Sequence, residues 1–532
     1  MYGEGEMKIR MYLVKVILLS LLSLLSMIIK AQDMTKITVE QGMLQGEMKN
    51  NLAVFKGVPF AKPPLGELRW QAPQPPEQWQ GVKQVTQYAP APIQAGNPPS
   101  GKSEDCLYLN IWTPAKSSDE KIPVLVWIYG GGFSFGTSSE PIFEGSHLAN
   151  KGVILVTIAY RVGQLGFLAH PELSKESASQ TSGNYGLLDQ IAALKWIKHN
   201  ISAFGGDPNK VTISGESAGG ISVSMLTASP LAKNLFQGAI SQSGGSFGPT
   251  RKVNYPGENM SLLSQAEAEG VDYVKQFGAS SIAELRQLDA EKFIPAGWSL
   301  PGGWPIVDGY VIPDDQYKLY QQGKFNDVPI LVGYNSDEGA SFVWNKDPKP
   351  FIDGIKTRFG KYASNLIDAY AIKEDVISRA GRNLIRDAAF GWHTWSWAKL
   401  QSEKGAAPAY LYFFDQHPEY PKDSPKFGFG SPHGQDIAYV FQHLDNNNPE
   451  ITAVDVALSE TIATYWTNFT KYGDPNGKNL PNWPAFDNKS PQVMYFQQQA
   501  KQGPVPDQKA LEVLDQYFQW RRTPAGEKWA NK

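Results

Sequence analysis

The sequence predicts an α/β fold in which a mostly parallel central sheet is flanked by helices, with helical insertions in the second half of the chain. Two observations carry this prediction. Short apolar runs rich in β-branched residues alternate with stretches of helical period, an order of elements typical of a parallel sheet. In addition, a run at 211–214 leads through Gly215-Glu216-Ser217-Ala218-Gly219 into an apolar stretch, which predicts a strand, a tight turn and a helix.

The individual elements are predicted from their periodicity. Strands are expected at 107–112, 123–129, 153–159, 211–214, 236–241, 328–334 and 409–414. Helices are expected at 186–200, directly after the turn at 215–219, and at 453–470. Further helices are expected in insertions after residues 250 and 340. Short runs at 38–39 and 57–60 predict a small antiparallel piece near the N-terminus, and residues 61–103, rich in Pro, Gly and Gln, predict an irregular segment.

Composition excludes several classes of protein. The 532 residues are 42% hydrophobic and 19% charged with a net charge of −3, which is typical of a globular protein and gives no reason to expect nucleic acid or an anionic membrane as partner. Cys106 is the only cysteine, so no intrachain disulfide can form. Because Cys106 stands at the entrance to a predicted strand, we expect a buried structural thiol rather than a nucleophile.

The N-terminus resembles an export signal. A basic stretch at 8–15 precedes an uncharged, predominantly apolar run of 14 residues at 16–29, and the small residue Ala31 follows. A transmembrane anchor is the alternative, but about 20 residues are needed to span a bilayer. We therefore expect a cleaved signal at about 7–31, a single domain over 32–532, and a periplasmic or secreted protein.

The turn at Ser217 fits the pattern G-x-S-x-G of a nucleophile elbow. Such a turn exposes the serine hydroxyl at its tip, and Gly215 and Gly219 are small because the strand and helix backbones pass close together. The helix that follows points its first amides toward any substrate bound there, which favours developing negative charge.

A serine nucleophile needs a base, and the base needs an acid to orient it. In folds with this elbow the acid and the histidine follow the serine in that order. The histidines that satisfy this order are His393, His417, His433 and His443. Asp337 and Glu338 directly follow the predicted strand 328–334, where ligands bind in parallel sheets. Of the histidines, His433 lies in a Gly- and Pro-flanked loop, and His443 is a less well placed alternative.

A run of glycines supplies candidates for an oxyanion hole. Gly130, Gly131 and Gly132 follow the predicted strand 123–129, and consecutive glycines allow backbone amides to converge on one point. The amide of Ala218, directly after the serine, is a further candidate donor.

These motifs resemble those of the type-B carboxylesterase family, relatives of the cholinesterases within the α/β-hydrolase fold. The matching segments are 204–220, 104–112, 184–190 and 465–469. The resemblance covers nearly the whole chain after the predicted signal, and the motifs are long and specific.

The resemblance implies a role for each candidate residue. Ser217 would be the nucleophile, Glu338 the acid, because the family places its acid directly before a glycine, and His433 the base. The oxyanion hole would comprise Gly131, Gly132 and Ala218. Glu216 and Ser243 match positions close to the triad, although packing explains these two residues equally well.

The chain departs from the family pattern at two places. The family often pairs the cysteine equivalent to Cys106 with an earlier one, which is missing here, so the upstream loop must be held by other means. Cholinesterases carry a tryptophan shortly before the 104–110 motif, and residues 87–103 contain none. Choline esters are therefore not the expected substrates.

The sequence thus predicts a serine carboxylic-ester hydrolase that acts on small to medium esters through an acyl-enzyme, without metal or organic cofactor. Activity is expected to rise as pH passes about 6.5, the ordinary pKa of histidine. The alternatives are hydrolysis of an amide, thioester or lactone, and a non-catalytic interaction module. An aromatic cluster of Phe390, Trp392, Trp395 and Trp397 is either core or pocket wall. The sequence does not predict the oligomeric state.

Overall fold

The computed structural model describes residues 33–250, 260–294, 303–343, 347–424, 426–445 and 447–530, so the predicted signal at 7–31 lies outside the described residues. The strands are β1 Lys36–Val39, β2 Gly42–Gln45, β3 Glu47–Lys49, β4 Leu52–Pro59, β5 Val82–Gln84, β6 Tyr108–Thr113, β7 Ile122–Ile128, β8 Ile154–Ile158, β9 Gly206–Glu216, β10 Gly238–Gln242, β11 Ile330–Asn335, β12 Ala409–Phe414, β13 Gln492–Phe496 and β14 Ala500–Pro504. The helices are α1 Ser146–Asn150, α2 Gly163–Phe167, α3 Pro171–Glu176, α4 Tyr185–Asn200, α5 Ala218–Ala228, α6 Leu263–Gln276, α7 Ile282–Arg286, α8 Gln316–Gln321, α9 Pro348–Phe359, α10 Ala363–Ala369, α11 Arg379–Arg386, α12 Trp392–Lys404, α13 Gln435–Val440, α14 Ala453–Tyr472, α15 Gln508–Arg521 and α16 Pro524–Ala530.

One large sheet organises the molecule. Its eleven strands lie in the order β14-β13-β12-β11-β10-β9-β7-β8-β6-β4-β3. Pairing is parallel from β13 through β8 and antiparallel at both edges. The mostly parallel α/β sheet predicted from the sequence is therefore confirmed.

Helices cover the central strands, and this explains why those strands are apolar throughout. β8, β10, β11 and β12 are buried at every position. α5 contacts β9 and β10, α12 contacts β11 and β12, and α14 contacts β7 and β9. A strand buried on both faces has no polar alternation to mark it, so it is recognised from its short apolar run.

The structure differs from the prediction at the two ends of the sheet. The run at 57–60 does not form a separate N-terminal piece with 38–39, because β4 joins the large sheet beside β6, while β1 pairs with β2 in a small sheet. The segment 61–103 contains the short strand β5. The strands β13 and β14 were not predicted. β14 is short, mostly polar and exposed, whereas β13 is short although Val493, Met494 and Phe496 in it are buried.

The carboxyl ends of the parallel strands meet at one edge of the sheet. β9 ends at Glu216, β10 at Gln242 and β11 at Asn335. Ser217 follows β9 directly, Glu338 lies three residues after β11, and His433 lies in the segment after β12. The sheet therefore brings together segments that are more than 100 residues apart in the sequence. Of the helices in the described ranges, none combines the length and apolar character needed to cross a membrane.

The loop before β6 is held without a disulfide. Cys106 is buried and unpaired, as expected. The Arg69 guanidinium binds the Glu104 carboxylate through two bonds of 2.6 Å. The Gln94 side chain both donates to the Gly136 carbonyl and accepts from the Gly136 amide. These polar contacts hold the loop before β6 in a chain that has no second cysteine.

A buried ion pair fixes the segment after β8 to helix α4. Asp189 accepts from the Arg161 backbone amide at 3.0 Å and from its guanidinium at 2.8 Å, and both residues are buried. Removal of one partner leaves a buried charge unpaired.

We predict that Arg161→Met lowers the free energy of unfolding by about 3–5 kcal/mol, because Asp189 would remain buried without its cation. Lys349→Met is the control, since Lys349 pairs with Asp353 on the surface, where such pairs contribute little to stability. Denaturant unfolding measures both variants, and equal losses would contradict the prediction.

Candidate active site

Ser217 occupies a strained turn between β9 and α5. Its backbone has φ 54° and ψ −124°, a conformation that non-glycine residues rarely adopt and that is found at functional sites. The Ser217 amide donates to the Gln242 carbonyl at 2.9 Å, and its carbonyl accepts from the Ile221 amide at 2.8 Å. The turn is thus fixed to the end of β10 on one side and to α5 on the other.

The glycines around Ser217 are required by close backbone contacts. A Cβ atom at Gly219 would collide with the Ile128 carbonyl at the end of β7. One at Gly215 would lie 2.5 Å from the Gly219 carbonyl carbon. The small residues that the motif demands are therefore explained by the crossing of α5 over the ends of β7 and β9.

The glycine loop after β7 lies against this turn. Gly131 and Gly132 have φ values of 97° and 57°, which glycine adopts readily and other residues rarely do. A Cβ atom at Gly130 would stand 3.0 Å from Ser217 Cβ and 2.8 Å from the Glu216 carbonyl oxygen. The loop can therefore present backbone amides beside the serine, together with the first amide of α5.

Glu338 and His433 form a close pair. The Glu338 carboxylate lies 2.5 Å from His433 Nδ1, and the Glu338 side chain is fully buried. Its other oxygen accepts from the Asn335 amide at 2.7 Å and from the Ser243 hydroxyl at 2.5 Å. Glu338 is thus held by three donors, and of the two adjacent acids it is the one that reaches His433.

Asp337 faces away and fastens the two loops together. It binds the Arg382 guanidinium through bonds of 2.9 and 3.0 Å and accepts from the Gly430 amide at 3.0 Å. Its own amide donates to the Ser431 carbonyl, and the Asn335 side chain donates to the Pro432 carbonyl. The loop that carries His433 is therefore hydrogen-bonded to the turn that carries Glu338.

The other side of the imidazole faces the elbow. His433 Nε2 lies 3.3 Å from Glu216 Oε1. The imidazole therefore contacts the side chain of the residue that precedes Ser217. Among the described side chains the Ser217 hydroxyl makes no hydrogen bond. Catalytic hydrogen bonds are often long in a free enzyme and tighten when substrate binds.

Three buried carboxylates surround His433. Burial raises the pKa of Glu216 to about 8, with the charges of Asp436 and Glu338 adding to the effect. Burial lowers the pKa of His433, but the charges of Glu216 and Glu338 outweigh it and raise the pKa to about 9. The imidazolium form is thus favoured by its acidic neighbours.

Asp436 is a part of this cluster that sequence reasoning missed. Its carboxylate accepts from Gln242 Nε2 at 2.9 Å and from the Tyr412 hydroxyl at 2.8 Å, and burial raises its pKa. Its position three residues after His433 is the one signal that could have drawn attention to it. Ser243, which binds Glu338, and Glu216 were both identified from the sequence as candidate neighbours of the triad.

Two aromatic rings pack against the imidazole of His433. Phe390 stacks on His433 with centroids 4.7 Å apart, and Phe342 contacts it edge-on at 5.1 Å. Trp392 instead stacks on Phe518, and Trp397 donates to the Tyr320 hydroxyl. The predicted aromatic cluster is therefore divided: Phe390 belongs to the site, whereas Trp392 and Trp397 belong to the core.

The remaining histidine candidates are used elsewhere. His393 is fully buried and accepts from the Phe247 amide at 3.0 Å. His443 contacts the Glu144 carbonyl at 2.9 Å, and His417 faces Asp415 at 3.5 Å. In the part of the chain that the structure describes, no three or more His, Cys, Asp or Glu side chains are grouped so as to hold a metal ion.

Comparison with known proteins shows that this chain is similar to carboxylesterases in sequence and in structure. A model of the carboxylesterase family matches residues 33–513. Fumonisin B1 esterase of Sphingopyxis macrogoltabida is 36% identical over 87% of this chain and 86% of its own length. Para-nitrobenzyl esterase of Bacillus subtilis is 34% identical over 86% and 94%. A solved structure of a PNB esterase has a TM-score of 0.78 at 33% identity, covering 90% of this chain and 99% of that one.

We predict that Glu216→Gln lowers the pKa of His433, because it removes a negative charge 3.3 Å from Nε2. NMR titration of the His433 ring protons measures the shift. The control is Glu77→Gln, at a glutamate whose side chain is 76% exposed. An unchanged His433 titration in Glu216→Gln would contradict the electrostatic role of Glu216.

Proposed function

This chain belongs to the carboxylesterase family, and on that premise we propose that Ser217 is the nucleophile, His433 the general base and Glu338 the acid that orients the base. The chain is a carboxylic-ester hydrolase, and members of its family act through an acyl-enzyme intermediate. The observation that carries this proposal is the 2.5 Å contact between buried Glu338 and His433 Nδ1, on a ring whose Nε2 faces the elbow.

The proposed reaction uses these groups in two steps. His433 takes the proton of Ser217 as the oxygen attacks the ester carbonyl, and Glu338 stabilises the imidazolium that results. The amides of Gly131, Gly132 and Ala218 bind the oxyanion. His433 then gives its proton to the leaving alcohol, and the acyl-enzyme forms. Water attacks the acyl group in the same way, which releases the acid and restores the Ser217 hydroxyl.

The electrostatics of the site bear on the pH dependence of this reaction. The base must be neutral, so activity is present above the pKa of His433 and lost below it. Since the charges of Glu216 and Glu338 raise the pKa of His433, the rise in activity is expected above pH 6.5, the ordinary histidine value from which the sequence prediction was made.

The substrates are small-molecule esters. The relatives compared above are esterases, which favours carboxylic esters over the amides, thioesters and lactones that the sequence leaves open. Two of those relatives are named for fumonisin B1 and for para-nitrobenzyl esters, and these compounds are the first to assay.

We further propose that the protein is exported and that residues 32–532 form one domain. The apolar run at 16–29, with basic residues before it and Ala31 after it, supports a cleaved signal. The large sheet takes strands from Glu47 to Pro504, which supports one domain. N-terminal sequencing of the exported protein tests the cleavage site.

We predict that Ser217→Ala abolishes turnover of p-nitrophenyl acetate, with a loss of roughly 10⁴-fold or more, because the nucleophile is removed. Labelling by a fluorophosphonate probe should disappear as well. Ser224→Ala is the matched control, since Ser224 lies on the same helix and its hydroxyl bonds the Ile221 carbonyl. Activity retained in pure Ser217→Ala protein would refute the assignment.

We predict that substitution of the two adjacent acids affects different properties, catalysis for Glu338 and stability for Asp337. Glu338→Gln should lower kcat/KM by roughly 10³- to 10⁴-fold, because the amide cannot stabilise the His433 imidazolium. Asp337→Asn should instead reduce stability, because Arg382 loses its buried partner. Kinetics and thermal unfolding of both variants distinguish them, and a larger catalytic loss in folded Asp337→Asn would reverse the assignment.

A further inference from the structure

A π-helical turn lies beside the imidazole of His433. It comprises Asp387–Gly391, between α11 and α12, and is marked by the Trp392 amide, which donates to the Asp387 carbonyl five residues earlier. All five residues of the turn are buried, and Phe390, one of them, stacks on His433. Such turns are rare within α-helices and occur frequently at functional sites. The shape of this turn decides where the Phe390 ring lies.

The carboxylate of Asp387 fixes the turn from within. It accepts from Arg386 Nε at 2.7 Å, from Arg386 Nη2 at 2.8 Å and from the Tyr370 hydroxyl at 2.8 Å. Neighbouring residues on a regular α-helix do not face each other, so this two-bond pair belongs to the junction between α11 and the turn. A Cβ atom at Gly391 would collide with Asp387 Oδ1. The carboxylate therefore packs against the far end of the turn as well.

The Arg386 guanidinium also reaches the turn that carries the proposed acid. Arg386 is buried, and its Nη1 donates to the Ser336 carbonyl at 3.1 Å. Ser336 stands two residues before Glu338. Arg386 Nη2 also binds the Asp507 carboxylate at 2.6 Å. One side chain thus connects the turn that carries Glu338 with the turn that carries Phe390.

Phe390 meets the imidazole face to face. The two rings have centroids 4.7 Å apart and an angle of 23° between their planes. Phe342 contacts both rings, with its centroid 5.1 Å from that of His433 and 5.6 Å from that of Phe390. Close packing on its face opposes tilting of the imidazole out of its plane, whereas a small shift within the plane stays possible.

We propose that Arg386 and Asp387 position the proposed general base. They fix the π-helical turn and with it Phe390, so that the imidazole of His433 keeps its contact with Glu338 while its other nitrogen reaches the elbow. The inference rests on the proposed function, in which His433 is the base. Asp387 acts through Phe390 and not on the substrate, because its side chain has no exposed surface. A misplacement of about 1 Å can cost roughly 100-fold in rate.

Asp387→Asn tests the turn, and Glu104→Gln is the matched control. Both replace an acid by its amide in a two-bond arginine pair that is largely buried. We expect Asp387→Asn to lower kcat for p-nitrophenyl acetate roughly tenfold to a hundredfold and to leave KM within about twofold. Both variants should lose stability, but Glu104→Gln should keep its kcat. A folded Asp387→Asn protein with the kcat of the unaltered enzyme would overturn the proposal.

Phe390→Leu removes the stacked ring and leaves every charge in place. Its kcat should fall as in Asp387→Asn. The midpoint of its pH profile of kcat/KM should move down, because an imidazole that tilts away from Glu338 has its charged form stabilised less. A smaller fraction of active protein would not move that midpoint. In the double variant the two losses in kcat should not multiply, since Asp387 acts through Phe390. Full multiplication, or an unmoved midpoint, would overturn the proposal.

Tyr370→Phe covers the case in which Asp387→Asn does not fold. It removes one hydrogen bond to Asp387 and leaves no buried charge unpaired. It should lower kcat roughly twofold or more, with the same downward movement of the midpoint, and an unchanged kcat would then overturn the role of Asp387. Failure of the proposed function would be visible separately, as absence of ester turnover and fluorophosphonate labelling in the unaltered enzyme.

Discussion

The site depends on one buried contact, the 2.5 Å pair of Glu338 and His433. A carboxylate with no exposed surface is tolerable only when its oxygens are fully used, and Glu338 has donors from His433, Ser243 and the Asn335 backbone. These donors come from three segments at the carboxyl edge of the sheet. The contact therefore requires that β10 and β11 pair correctly and that the loop after β12 packs against their ends. The site can assemble only when the sheet is correctly folded.

Electrostatic crowding is the consequence of placing this pair next to the elbow. Glu216 and Asp436 add two more buried carboxylates around one imidazole, and together with Glu338 they favour its charged form. In the proposed mechanism this lowers the energy of the imidazolium formed when Ser217 attacks, but it also holds a larger fraction of the resting enzyme in the protonated state at neutral pH. Phe390 and Phe342 pack on the ring and limit its orientations.

Buried ion pairs hold distant segments of this chain together, as disulfide bonds do in other proteins. Arg69 with Glu104 holds the segment before β6, Arg161 holds helix α4 through Asp189, and Arg382 fastens the turn after β11 through Asp337. Each guanidinium forms two bonds with its carboxylate, which is the geometry that makes such pairs rigid. A chain with a single cysteine can therefore keep distant loops in fixed relation.

The sequence by itself determined the parallel sheet, the turn at Ser217 and the carboxylesterase family, because these are written in local spacing: apolar runs, glycines two residues either side of a serine, and long motifs. The choice of Glu338 over Asp337 came from the family pattern alone. In the tertiary structure Glu338 contacts His433, whereas Asp337 is turned toward Arg382. Asp436 and the division of the 390–397 cluster were equally invisible, because neighbours across a fold leave no local signal. The edge strand β14 escaped prediction for a related reason, since its residues are mostly polar and its pairing with β13 makes it a strand.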